Sequence, residues 1–285
     1  MRFLGSSLSL LAGVATMAMM AGCGSSAATP AASGSTPEDQ RPTIAAASPY
    51  LAAIGTDLLG PARIIPLASP GMCPGHFDLR PSQIEELASV AVLLRFDFQN
   101  SLEEKLASRV EGLQVLSVSV TGGMCDPHVY EAACRQVADA LVQRGILSPE
   151  QAEARLADIA ARMRLLRASI KEQVADARLA GIPVVASCHQ ADFCRLLGLD
   201  VVATLTAADT ARASTLDHAV EAGQRAGVEW IIANRPEGRR LADVVADRLG
   251  ATVLVLDNFP ESDPKEAFDR LVRANVRVLV EGVRP

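Results

Sequence analysis

Three of the four histidines in this sequence have a cysteine close by. Cys73 stands three residues before His76 in SPGMCPGHFDLRPS (residues 69–82), and Cys125 three before His128 in TGGMCDPHVYE (residues 121–131). In PVVASCHQ, Cys188 directly precedes His189. Imidazole nitrogen is a good donor to Zn²⁺, and three converging nitrogens need one more ligand to close a tetrahedron. Asp257, which ends the apolar run ATVLVLD, is the candidate for that place. Taken alone, an Asp at a strand end is more often a cap or turn former. As fourth ligand it would supply negative charge. A set of three histidines and one aspartate suits Zn²⁺ better than Mn²⁺ or Fe²⁺, which favour more carboxylate. His218, inside the helical pattern of TLDHAVEAGQ, reads as a surface residue.

What must position these residues is a series of short β-rich runs alternating with helical patterns. Residues 44–48, 62–68, 91–96 and 113–120 read as strands, and 50–59, 81–89, 100–111 and 129–144 as helices. A second series has strands at 183–187, 200–205, 228–234 and 251–257. Such a βα order implies α/β lobes whose mostly parallel sheets are covered on both faces. No residue-level repeat links the two series. His76, His128 and His189 each follow the carboxyl end of an expected strand and Asp257 ends one, at the edge where α/β sheets present ligands.

Residues 148–181 separate the two series. Ser148, Pro149 and Gln151 form an N-cap, a first-turn proline and a capping box, and Gly181 can close the far end. Leu156, Ile159, Met163, Leu166, Ile170 and Val174 make one apolar stripe. A helix of about thirty residues is roughly 45 Å long, enough to lie along both lobes or to be one long helix of a single domain.

The amino end reads as an export signal. Arg2 precedes the largely apolar run 3–20, and Met20-Ala21-Gly22-Cys23 sets small residues before a cysteine, as in a bacterial lipobox. Residues 1–22 are then a lipoprotein signal peptide, with lipid on Cys23; an uncleaved membrane anchor is the alternative. Residues 23–42 are poor in large apolar side chains and suit a flexible tether. The rest divides into an N-terminal α/β lobe (43–147), an interlobe helix (148–181) and a C-terminal α/β lobe (182–285). The formal charge of −6, one Trp, two Tyr and no basic block exclude the electrostatic footprint of a nucleic-acid binder.

An exported chain sits where disulfides can form. Five cysteines follow Cys23, so at least one has no partner within the chain. Cys73, Cys125 and Cys188 allow three readings: a bridge between Cys73 and Cys125, thiolate ligation in a softer site suited to Zn²⁺ or Cu(I), or small buried residues without a role. Cys134 and Cys194 lie on helical patterns and read as core residues able to pair with each other.

At these residues the sequence resembles the zinc-uptake family of metal-binding lipoproteins from bacterial zinc and manganese ABC importers. The resemblance spans roughly residues 43–280. It rests on SPGMCPGHFDLRPSQIEELASVAVLL, DPHVY, VVASCHQADFCRLLGL and LADVVADRLGATVLVLD, in that order. It implies two α/β lobes bridged by one long helix, with a metal held in the cleft by His76, His128, His189 and Asp257. A histidine at the place of His189 sides with zinc over manganese. Four features depart from the pattern. Cys-Pro-Gly precedes His76, the His- and acid-rich loop of many members is absent, NRPEG displaces Glu237 from the usual glutamate position, and the cysteines beside the histidines are unusual for the family.

The resemblance implies a binding protein, not an enzyme, expected as a monomer. It would be lipid-anchored on the periplasmic face or cell surface and hand its ion to a membrane ABC permease. Two other classes compete. One is an exported zinc hydrolase using the three histidines, with Glu237 or Asp126 as base, although no HExxH signature occurs. The other is a surface adhesion lipoprotein with a structural metal.

Overall fold

The computed structural model describes residues 43–60, 63–69, 79–107, 109–206, 213–261 and 266–283. The export signal, Cys23, the tether, Cys73 and His76 lie outside the described residues. No described helix is long and apolar enough to cross a membrane.

Among the described residues, eight strands form two sheets, parallel throughout. The first joins β1 (Thr43–Ala46), β2 (Arg63–Pro66), β3 (Val92–Phe96) and β4 (Val115–Val118) in the order β2-β1-β3-β4. The second joins β5 (Pro183–Ser187), β6 (Asp200–Leu205), β7 (Trp230–Asn234) and β8 (Thr252–Leu256) in the order β6-β5-β7-β8. The two orders are the same. Each sheet grows one way from its first strand to the second and the other way to the third, which opens a crevice at the carboxyl ends of the central pair.

Strand periodicity distributes the apolar side chains between faces. In the first sheet Ile44, Ala46, Val92, Leu94 and Phe96 face one core, and Ala45 and Leu93 the other. In the second, Val184, Ala186 and Ile232 face that same shared core, while Val185, Ile231 and Ala233 turn away. The shared core also takes in α1 (Pro49–Leu59), α4 (Pro127–Gln143), α5 (Pro149–Asp176), α6 (Cys188–Leu196) and α9 (Ala267–Val283). The outer face of the first sheet is covered by α2 (Pro81–Leu87) and α3 (Asn100–Ala107). That of the second is covered by α7 (Ala213–Ala226) and α8 (Arg240–Leu249).

The long helix α5 starts as its sequence dictates: the Ser148 side chain accepts from Gln151 N–H, and the Gln151 side chain reaches back to Ser148 N–H. It ends at Asp176, earlier than expected. Arg178, with φ 54°, takes the left-handed turn there, while Gly181 uses its own φ of 78° to turn into β5. Of the predicted stripe, Ile159, Met163, Leu166 and Ile170 are buried, with Leu156 and Val174 partly so.

Helix α5 packs against α4, α1 and α9, and one cation ties the four together. Arg162 of α5 holds both carboxylate oxygens of Asp57 on α1 and, through Nε at 3.0 Å, Asp269 on α9. Tyr130 of α4 donates to Asp57 at 2.7 Å. Beside this network Tyr130 stacks on Phe268 of α9 with centroids 3.9 Å apart, and Tyr50 of α1 meets both rings edge-on. Helix α9, which also packs on β8, thereby fixes the second sheet to the helices of the first lobe.

Candidate metal centre

The same local device presents a histidine at each sheet. At the end of β5, Ser187 caps α6 and its Oγ accepts from the His189 N–H at 3.2 Å. After β4, Asp126 caps α4 and its carboxylate accepts from the His128 N–H at 2.8 Å. DPH and SCH are therefore each an N-cap, first and second helical position, a geometry that satisfies an otherwise orphaned backbone donor. Both imidazoles start from helix first turns at the carboxyl edge of a parallel sheet, and both are exposed.

Around His189 the donors converge. Its Nε2 lies 3.2 Å from Glu237 Oε1, and one donor atom each from Cys188, His189 and Glu237 lies within 4.8 Å of the others. A tetrahedral zinc with legs of about 2.0–2.3 Å spaces its ligands by roughly 3.3–3.8 Å, so small rotamer changes bring all three within reach of one ion. Ser187 Oγ donates to Glu237 Oε2 at 2.6 Å, so one hydroxyl orients both the helix that carries His189 and the carboxylate facing it. Glu237 reaches this place because β7 ends in a single 3₁₀ turn, Arg235–Glu237, closed by Gly238 at φ 74°. Burial, then the charge of Glu237, pushes the Cys188 thiol above its ordinary range.

The cluster opens onto a cavity of about 220 Å³ whose walls come from both lobes. Phe98, Val120 and Met124 face it from the first, and Asp192, Asn258 and Phe259 join the cluster residues from the second. The lobes meet beside it at Gly123, where a Cβ would sit 3.1 Å from Asp192 Cβ and 3.3 Å from Phe193 N. Only glycine allows the β4–α4 loop that close to α6.

The other expected ligands are placed differently. Both oxygens of Asp257 accept from Arg235 Nε, at 2.7 and 2.8 Å, and its backbone is held by Asn275 at 2.7 and 2.9 Å. His128 does not line the cavity and is not in the cluster. Cys125 faces inward as a free thiol, donating to the Asp257 carbonyl at 3.2 Å with Asn275 Nδ2 at 3.4 Å. Burial pushes its thiol up to about 12. Of the three readings open for this cysteine, the bridge would need Cys73, which lies outside the described residues. Cys134 and Cys194 are likewise buried and free, not paired with each other.

Sequence reading placed His189 after its strand and named Glu237 only as a displaced glutamate or as the base of a hydrolase, not as the carboxylate that meets His189. The signal was present in NRPEG, but the glutamate looked out of place until the 3₁₀ turn was seen to bring it back toward β5.

The sequence model of the ZnuA family, described as the periplasmic component A of a zinc-uptake complex, matches residues 44–282. No curated protein sequence matches the chain. Among solved structures, a zinc-bound deletion mutant of ZnuA superposes with a TM-score of 0.71 at 14% identity, over 86% of this chain and 99% of that one. FpvC from Pseudomonas aeruginosa in complex with Mn²⁺ gives 0.69 at 17% identity, over 86% and 98%. A Mn-bound periplasmic metal-binding protein from Candidatus Liberibacter asiaticus gives 0.69 at 12% identity, over 86% and 100%.

Proposed function

The chain belongs to the ZnuA family of periplasmic zinc-uptake components, and from that premise we propose that it captures a divalent transition-metal ion in its interlobe cleft. Zn²⁺ is the favoured cargo, ahead of Mn²⁺, Fe²⁺ and Cu(I), and an ABC permease in the membrane is the recipient. The observation that carries this reading is the convergence of His189 with Glu237 and Cys188 at the mouth of a cavity walled by both lobes.

The ion is cargo, and no reaction is required of the protein. Ligation closed by protein donors retains an ion, whereas a catalytic zinc keeps a position open for water. The ligand set implied by the motifs is His76 and His128 from the first lobe with His189 and Asp257 from the second. Donors from both lobes would make the loaded cleft differ from the empty one, which a permease can read. Lipid on Cys23 and the tether 23–42 would keep a monomeric protein at the envelope membrane within reach of that permease.

Elemental analysis of the purified protein, prepared with and without reductant, tests the proposal alongside thermal shifts with Zn²⁺, Mn²⁺ and Cu(I). The expected result is bound transition metal at about one ion per chain. At a free concentration of about a thousand times the dissociation constant, zinc should stabilise the fold by about 4 kcal/mol. No bound metal and no shift with any of these ions would overturn the reading.

A further inference from the structure

We propose that Cys188 and Glu237 are themselves metal ligands, so that the second lobe alone supplies a sulfur, a nitrogen and an oxygen donor and selects a borderline-soft cation such as Zn²⁺ over Mn²⁺. The inference rests on the cleft-capture reading above and changes who holds the ion.

Three observations carry it. First, Cys188, His189 and Glu237 bring their donor atoms within 4.8 Å of one another, and Cys188 and His189 are both exposed toward the cavity. Second, Glu237 Oε1 is buried and has no hydrogen-bond donor, although His189 Nε2 lies only 3.2 Å away. A nitrogen and a carboxylate oxygen that approach so closely without hydrogen-bond geometry are disposed as two ligands of a shared cation, and a buried unpaired carboxylate oxygen is costly without one. The other oxygen is fixed by Ser187, as the outer partner of a metal carboxylate ordinarily is. Third, Asp257 is already engaged: both its oxygens are taken by Arg235. A metal using Asp257 would have to displace a guanidinium, whereas Glu237 Oε1 has no hydrogen-bond donor to give up.

The three donors leave one tetrahedral position open to a further ligand. On loading, the Cys188 thiol gives its proton to solvent and binds as thiolate. Thiolate is a soft donor that suits Zn²⁺ and Cu(I) and disfavours Mn²⁺, so the residue before the histidine sets the selectivity.

Cobalt(II) titration of the reduced, metal-free protein reads the sulfur directly. The wild type is expected to show a near-ultraviolet thiolate-to-cobalt charge-transfer band that saturates at one ion per chain. Cys188→Ala should lose the band while still binding cobalt, and its preference for Zn²⁺ over Mn²⁺ should fall by about tenfold or more. Glu237→Gln should weaken zinc binding more than Asp257→Asn does. Cobalt binding without the band in the wild type, or a band that survives Cys188→Ala, overturns the sulfur assignment; Asp257→Asn as the more damaging change overturns the carboxylate assignment. These outcomes leave cleft capture standing, whereas failure to bind cobalt, zinc or manganese at all overturns capture itself.

Discussion

Replacing Arg162 by leucine isolates the cost of holding the lobes together through one partly buried cation shared by two buried carboxylates. Arg162 is shared between Asp57 and Asp269, whose side chains are only 8% and 9% exposed. Leucine keeps much of the volume but leaves two carboxylates without their cation. Removing one partner of a buried pair costs about 3–5 kcal/mol, since the uncompensated charge stays behind. At roughly 2–4 °C per kcal/mol for a chain of this size, the melting temperature should fall by about 6–20 °C. The pH dependence gives a second reading. Burial already raises the Asp269 carboxyl above its ordinary range, with Arg162 pulling it down and Asp57 pushing it up. A carboxyl raised in the folded state binds more protons folded than unfolded. Its contribution is therefore intact at acid pH and is lost as pH rises from the unfolded value through the folded one. Without Arg162 that rise is larger, so the deficit of the variant should be greatest at neutral pH and shrink at acid pH. Adding Asp57→Asn and Asp269→Asn to Arg162→Leu should recover most of the loss, because a neutral cluster needs no cation. Denaturant unfolding at neutral and at acid pH decides the matter. A loss below about 1 kcal/mol, the worth of an exposed ion pair, or a loss independent of pH, would refute the buried-network argument.

Three other substitutions and modifications probe the site and its surroundings. Ser187→Ala removes both the cap to His189 N–H and the donor to Glu237. It should cost about 1 kcal/mol in unfolding free energy and about tenfold in zinc affinity, measured by denaturation and competition titration. Tyr130→Phe deletes the donor to Asp57 and should cost about 1–2 kcal/mol in denaturant unfolding without moving zinc affinity, since Tyr130 does not line the cavity. Among the described cysteines, Cys188 should be alkylated first in the native protein, because Cys125, Cys134 and Cys194 are buried and burial pushes the first and last of these up to about 12. Peptide mapping after brief alkylation checks the order, and zinc should slow labelling of Cys188.

The features legible in the sequence were those written in local pattern. Apolar runs placed β5 at 183–187 and β6 at 200–205, and Ser148 with Gln151 announced the start of α5. The place of His189 followed from its strand, because a side chain just past a parallel strand must lie at the carboxyl edge. What could not be read depended on neighbours brought together by the fold. Arg235 reaches Asp257 because β7 and β8 are adjacent and end level, with Asn234 paired to Leu256. Glu237 meets His189 because β7 lies beside β5 and then makes one 3₁₀ turn. Cys125 and Cys188 look alike in sequence, each next to a capping residue. Cys125 precedes its cap and turns into the lobe junction, whereas Cys188 follows its cap and stays exposed. The end of α5 was misplaced because Gly181 looked like a helix stop, while Arg178 supplies the left-handed residue.

The most direct test of metal capture in this cleft is a zinc competition titration of the reduced, metal-free protein beside His189→Ala and His128→Ala. The account predicts one zinc per wild-type chain, with affinity reduced by about tenfold or more in each variant while both remain folded by circular dichroism. Unchanged affinity in His128→Ala would remove that residue from the site. Unchanged affinity and stoichiometry in His189→Ala would contradict the account at its centre.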